Sequence, residues 1–160
     1  MDTQIRPITQ EDQTWIPGKL TASWGAPLII SRGQIHDASK LPGFVALQDN
    51  QEIGLVTYWI DSQECELVTL NSWQDIIGVG SVLVEAVKRA ALEAGCSRLW
   101  LITTNDNMHA LAFYQKRGFH LIAVHPDALV ESRKIKPSIP EIGLHGIPLR
   151  DEIELQILLD

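Results

Sequence analysis

Gly78-Val79-Gly80-Ser81 stands between an apolar, strand-like stretch and the start of a helical periodicity. Glycines at such a junction let backbone approach a ligand closely, and the N–H groups of the first helical turn point outward with the helix dipole behind them. Phosphate is the ligand that this geometry suits. A plain strand-to-helix turn needs the same glycines, so the GxG alone leaves both uses open. Two nucleotide motifs fail on the residues themselves. No Lys-Ser/Thr follows Gly80, which removes the P-loop, and Leu83 occupies the place of the third glycine of a dinucleotide fingerprint. A pyrophosphate held by main-chain amides is the nucleotide reading that survives.

The second chemical segment runs from Asn107 to Phe119, Asn-Met-His-Ala-Leu-Ala-Phe-Tyr-Gln-Lys-Arg-Gly-Phe. Asn107 and Tyr114 lie seven positions apart, nearly two helical turns, which places both on one helix face. A tyrosine so placed can donate its proton to a leaving thiolate. The competing use is that of a half-buried core tyrosine. His36, His109, His120, His125 and His145 have no ligand spacing, and Cys65 and Cys96 form no CxxC pair. Neither a metal site nor a disulfide scaffold is expected.

The elements that must position these groups follow from period and punctuation. Gln4 to Ile8 alternates as a short edge strand, which Pro7 suits because it cannot donate to a ladder. Thr9 to Asp12 offers cap chemistry before a weak helix, and residues 17–42, broken by Gly and Pro, read as short helical pieces and loops. Residues 44–48, 53–60 and 64–70 form three strands of an antiparallel meander. Leu83, Val87, Ala90, Ala91 and Ala94 recur at helical spacing up to Gly95. Leu99 to Ile102 is a strand covered on both faces. Asn105-Asp106-Asn107 caps a helix to Arg117, and residues 119–124 form another strand. A Pro-interrupted stretch, 126–150, precedes a last alternating strand from Ile153 to Ile157. The expected fold class is α/β (α+β): one domain over 1–160 with a mixed, mostly antiparallel central sheet flanked by helices.

Bulk properties narrow the partners. The chain has 160 residues, 45% hydrophobic and 21% charged, which fits one globular domain rather than disorder. Its formal charge of −7 argues against a general nucleic-acid binder, which needs a basic field. No apolar run reaches membrane-spanning length, the first residues carry no apolar signal core, and a cytoplasmic protein is expected.

Taken in order, the strand 64–70, Gly78-x-Gly80-Ser81 opening a helix, the buried strand 99–102, and Asn107-x-x-Ala110-x-x-Phe113-Tyr114-x-x-x-Gly118-Phe119 resemble the GNAT superfamily of N-acetyltransferases. The resemblance implies acetyl-CoA as co-substrate, no metal, and a small-molecule or peptide amine as acceptor. It assigns the CoA pyrophosphate to the main-chain N–H groups of Ile77, Gly78, Val79, Gly80 and Ser81. It places Val68 and Leu70 along the pantetheine arm, puts Asn107 against the cofactor, and makes Tyr114 the proton donor to the departing sulfur. Glu64 matches the glutamate that some relatives use as a general base; Glu66 shares its face, and a solvated edge carboxylate is the plain use of either. Asp75 stands where the family has Gln or Arg, with Gln74 beside it, so a side-chain contribution to phosphate binding is not implied.

The segment from Glu131 to Glu152 is similar to a feature of a bacterial GNAT subgroup of undefined acceptor, with its Ser-Arg-Lys-x-Lys-Pro and Ile-Pro-x-Arg-Asp-Glu-Ile stretches. It serves as a roof over an acceptor pocket, as cover for a sheet edge, or as the contact of a homodimer. Trp15, Trp24 and Trp59 supply aromatic walls or core. Two other functions share the fold: a non-catalytic acyl-CoA-binding sensor, and an interaction module, for which Asp75 is the chief argument.

Overall fold

In a computed structural model, residues 2–74 and 77–160 are described, and the chain divides into two compact units. The first comprises residues 1–29, 37–99 and 158–160; the second comprises 30–36 and 100–157.

In the first unit four strands lie in the order β1 (Gln4–Pro7), β4 (Gly43–Gln48), β5 (Gln51–Asp61), β6 (Glu64–Ser72). Every pairing among them is antiparallel, as the meander pattern predicts. Turns at Asp49-Asn50 and Ser62 reach positive φ, where short polar residues bear the strain best. One sheet face carries Val45 and Leu55 against Ile16 and Leu20 of α1 (Ile16–Trp24) and Ala38, all buried. Trp15 and Trp73 meet edge to face at 5.9 Å beside this cluster. Helix α2 (Val79–Glu93) buries Val79, Leu83, Val84, Val87 and Ala91 at helical spacing. Each of the valines and Leu83 contributes about 1.5–3 kcal/mol on burial. Gly54 of β5 makes that packing possible: a Cβ there would lie 2.9 Å from Val79 Cγ1 and 3.0 Å from Leu83 Cδ1.

Residues 17–42 depart from the expected helical pieces and loops. A single nine-residue helix, α1, is followed by a hairpin of β2 (Leu28–Ser31) and β3 (Gln34–Asp37). Its two turn residues, Arg32 and Gly33, both have positive φ, the geometry that matches strand twist in tight hairpins. The signal was present as Leu28-Ile29-Ile30, Arg32-Gly33 and Ile35, and the surrounding Gly and Pro residues hid it.

The second unit holds β7 (Arg98–Thr104) from Trp100 onward, α3 (Met108–Lys116), β8 (His120–His125), α4 (Ala128–Ile135) and β9 (Glu152–Leu158) up to Ile157. The strands run in the order β7-β9-β8, and β8 pairs with β9 antiparallel, with a bulge at Ile122. Within 126–150, α4 corrects the reading of a plain connection. Arg133 holds the rest of that segment, donating to the carbonyls of Ile139, Pro140 and Leu149. Asn105 and Asp106, expected as helix caps, instead pin its far end. Asn105 Oδ1 accepts from the amides of Arg150 and Asp151, and Asp106 Oδ2 accepts from Leu144 N at 2.7 Å.

Candidate functional site

The first unit carries β6 and the glycine turn. Along β6, Leu67 faces Tyr58 and Thr69 faces Thr57, so Val68 is an extra residue, a β-bulge. Bulges bend a strand and re-aim its backbone. Past it, Leu70 pairs again with Val56. Thr57 and Thr69 share a buried hydroxyl–hydroxyl bond of 2.6 Å on the face that Trp59, Glu64 and Glu66 also occupy. The chain then reaches Ile77, whose side chain is fully exposed, and Gly78, at φ 93°, ψ −6°.

Gly78 occupies the N-cap of α2 in the left-handed region, which explains the glycine there. Nothing lies within 4 Å of where its Cβ would be. The Val82 amide donates to the Gly78 carbonyl at 3.0 Å, so the amides of Val79 and Gly80 lie ahead of the first intrahelical bond. No acidic residue sits in this first turn to compete with an anion, and Ser81 follows on the same turn. The Val79 side chain is buried and anchors the turn against β5. The Asp75 position lies outside the described residues; Gln74 is exposed.

Glu64, the candidate base, and Glu66, which shares its face, differ sharply. Glu64, at the mouth of the β5–β6 hairpin, is exposed and bound to Arg98 Nε at 2.5 Å. Glu66, two residues on and opposite Trp59, is only 3% exposed. Sequence alternation placed both on one face but did not separate a solvated ion pair from a buried carboxylate.

In the second unit, Asn107 precedes α3 rather than belonging to it. Its backbone is non-helical, and its Oδ1 accepts from the Ala110 amide at 3.0 Å as the N-cap. The shared-face argument with Tyr114 therefore gives way to a cap, which leaves the side-chain NH2 as the part that can meet a ligand. Tyr114 is 7% exposed, its ring edge-on to Phe113 at 5.1 Å and to Phe119 at 5.4 Å. Burial pushes its phenol well above the ordinary tyrosine range, and the Arg117 charge opposes this only in part. The hydroxyl has no hydrogen-bond partner among the described residues. Among the described residues no group of three His, Cys, Asp or Glu side chains is arranged to hold a metal, and no helix is long and apolar enough to cross a membrane.

Comparison with known proteins bears on the same segments. The acetyltransferase (GNAT) family model matches residues 9–119, which span the meander, the glycine turn and α3. The uncharacterized protein YdhI of Bacillus subtilis is 43% identical over 138 residues, 86% of each chain. An IAA acetyltransferase from Bacillus cereus shares the fold at a TM-score of 0.77 and 24% identity, over 99% of this chain and 100% of that one. A GNAT family acetyltransferase from Elizabethkingia anophelis, solved with acetyl-CoA bound, gives the same TM-score and identity over 98% of both chains. At such identities the two structures establish the fold, mixed α/β with a mostly antiparallel central sheet flanked by helices. With a family match over most of its length and a relative well above 30% identity across nearly all of it, the chain belongs to the acetyltransferase (GNAT) family.

Proposed function

We propose that the protein transfers the acetyl group of acetyl-CoA to a primary amine by direct attack within a ternary complex. The observation that carries this reading is the turn at Gly78: a left-handed glycine caps α2, with the Val79 and Gly80 amides ahead of the first intrahelical bond. Such a turn suits a diphosphate, and the bulged strand β6 before it, with Val68 and Leu70, offers main-chain groups to an extended pantetheine arm.

In the reaction the amine nitrogen forms a bond to the thioester carbon, and the carbon–sulfur bond breaks. The nitrogen loses one proton to base or water, the sulfur takes one from Tyr114, and water restores the phenol. A strongly protonated Tyr114 is in the correct form to donate at any physiological pH. A base role for Glu64 requires its pair with Arg98 to open, so the reading places the amine in the site already neutral, with Glu64 as an auxiliary.

Titration calorimetry with acetyl-CoA, followed by thiol release in the presence of an amine panel, tests the proposal. Saturable binding and amine-dependent thiol release are expected; absence of binding at millimolar acetyl-CoA would overturn it. The burial of Tyr114 favours one other function, an acyl-CoA-binding sensor without turnover. That function predicts binding with no thiol release for any amine.

A further inference from the structure

β1 and β8 stand at the two ends of the strand order, and they guard their open edges differently. β1 is four residues long and carries Gln4, Arg6 and Pro7, the short, charged, proline-bearing kind of edge that resists further pairing. β8 runs over six residues, His120-Leu121-Ile122-Ala123-Val124-His125, with no proline and no Asp, Glu, Lys or Arg. Its ladder is to β9, and among the described residues no other backbone bond involves 120–125. On such an edge every second residue turns its N–H and C=O away from the ladder, ready for another strand.

The side chains along this edge are apolar and bare. Leu121, Ile122 and Val124 are 46%, 43% and 57% exposed. Leu121 stands opposite Leu155 and Val124 opposite Ile153, and both of those are buried. The apolar cover of this face therefore ends at β9. A bulge can blunt an edge by twisting it, but the bulge at Ile122 presents a third apolar side chain instead of a charge.

Charge selects the occupant. With a formal charge of −7, two copies of the chain repel each other over most of their surface. Residues 118–125 carry no carboxylate, so here that repulsion is locally absent. The flanks complement themselves: Lys116, exposed, and Arg117 precede β8, and Asp127, exposed, follows it. A second copy laid antiparallel across a twofold axis brings each basic flank toward the other copy's Asp127 and sets the apolar row on its own image. A parallel alignment would set like charges together. We propose that β8 pairs antiparallel with β8 of a second copy of this chain, forming an isologous dimer.

Sedimentation equilibrium of the full chain over about 1–500 µM tests this. One strand pair is a small interface, so dissociation on the order of 10 µM is expected. Leu121→Lys and Val124→Lys should each weaken the dimer by about tenfold or more, although each reduces the overall negative charge and so the general repulsion. Acetyl-CoA affinity, measured at concentrations where the chain is monomeric, should stay unchanged in both. Lys116→Glu should weaken the dimer by about threefold at low salt, and adding Asp127→Lys to the same chain should restore it. Should a lysine at 121 or 124 prevent folding, the exposed pair at 116 and 127 decides the matter. A chain that stays monomeric throughout leaves the edge to some other strand and overturns self-pairing. A dimer indifferent to Leu121→Lys and Val124→Lys, or a charge exchange without restoration, overturns the antiparallel β8 contact.

Discussion

Tyr114 shows how one side chain can satisfy packing and chemistry together. Its ring completes an aromatic cluster with Phe113 and Phe119, and its hydroxyl contributes no hydrogen bond to that cluster among the described residues. Tyr114→Phe should therefore melt close to the native temperature at neutral pH while lowering kcat by about a hundredfold or more, the usual weight of a positioned acid. Thiol release and a thermal melt on the same sample check both halves; an unchanged rate would remove the donor role. The raised phenol also sets a pH dependence. A tyrosine in the unfolded chain ionises near pH 10, whereas the folded protein holds the proton longer. The resulting stability is complete below pH 10 and is lost as pH rises beyond it. Melts from pH 8 to 11 should show that loss in the native protein and a smaller one in Tyr114→Phe.

Among the elements, β1 and the turn after it are held by one carboxylate. Asp12 receives both terminal nitrogens of Arg6, at 2.7 and 2.8 Å, the Thr9 amide at 2.7 Å and Trp15 Nε1 at 3.0 Å. These donors, Arg6 first, hold its pKa far below the usual carboxylate range. Its stabilisation is present above the unfolded value near pH 4 and disappears as pH falls below that. Asp12→Asn should cost about 2–4 kcal/mol at pH 7, kept from the full buried-pair cost by the exposure of Arg6, and clearly less at pH 2, where the unfolded chain is protonated and the folded carboxylate has begun to lose its advantage. Denaturant titrations at the two pH values test this. The join of β5 to α2 depends on Gly54. Gly54→Val drives a branched side chain into Val79 and Leu83, with about 1–3 kcal/mol of overpacking. Because Val79 begins α2 directly after Gly78, acetyl-CoA affinity should fall by more than the lost stability explains. Calorimetry on the folded variant reads that difference, and full retention of affinity would uncouple the turn from β5.

For the molecule as a whole, both thiols report on the core of the first unit. Cys65 and Cys96 are buried and free, and burial pushes Cys65 up to about 12, with Cys96 and Glu66 adding to it. Native protein at pH 8 should stay silent to Ellman's reagent, and both thiols should appear in guanidinium. Rapid native labelling would contradict the core. The meander, both principal helices, the Gly78 turn and the Asn107–Phe119 segment were legible in the residues because each depends on local periodicity and punctuation. Other features were decided by contacts between distant residues. Residues 30–36 join a unit built otherwise from 100–157, so that Arg32 meets Glu152 across 120 positions. Alternation reads Glu154 as outward, yet Glu152 and Glu154 are both buried, Glu152 against the Arg32 amide and Glu154 against His125 and the Arg32 side chain, on a face that local pattern assigns to water. Local sequence determines which dihedrals and faces a segment prefers; only the folded chain decides which of those faces loses its solvent, and with it which carboxylate or phenol becomes chemically distinct.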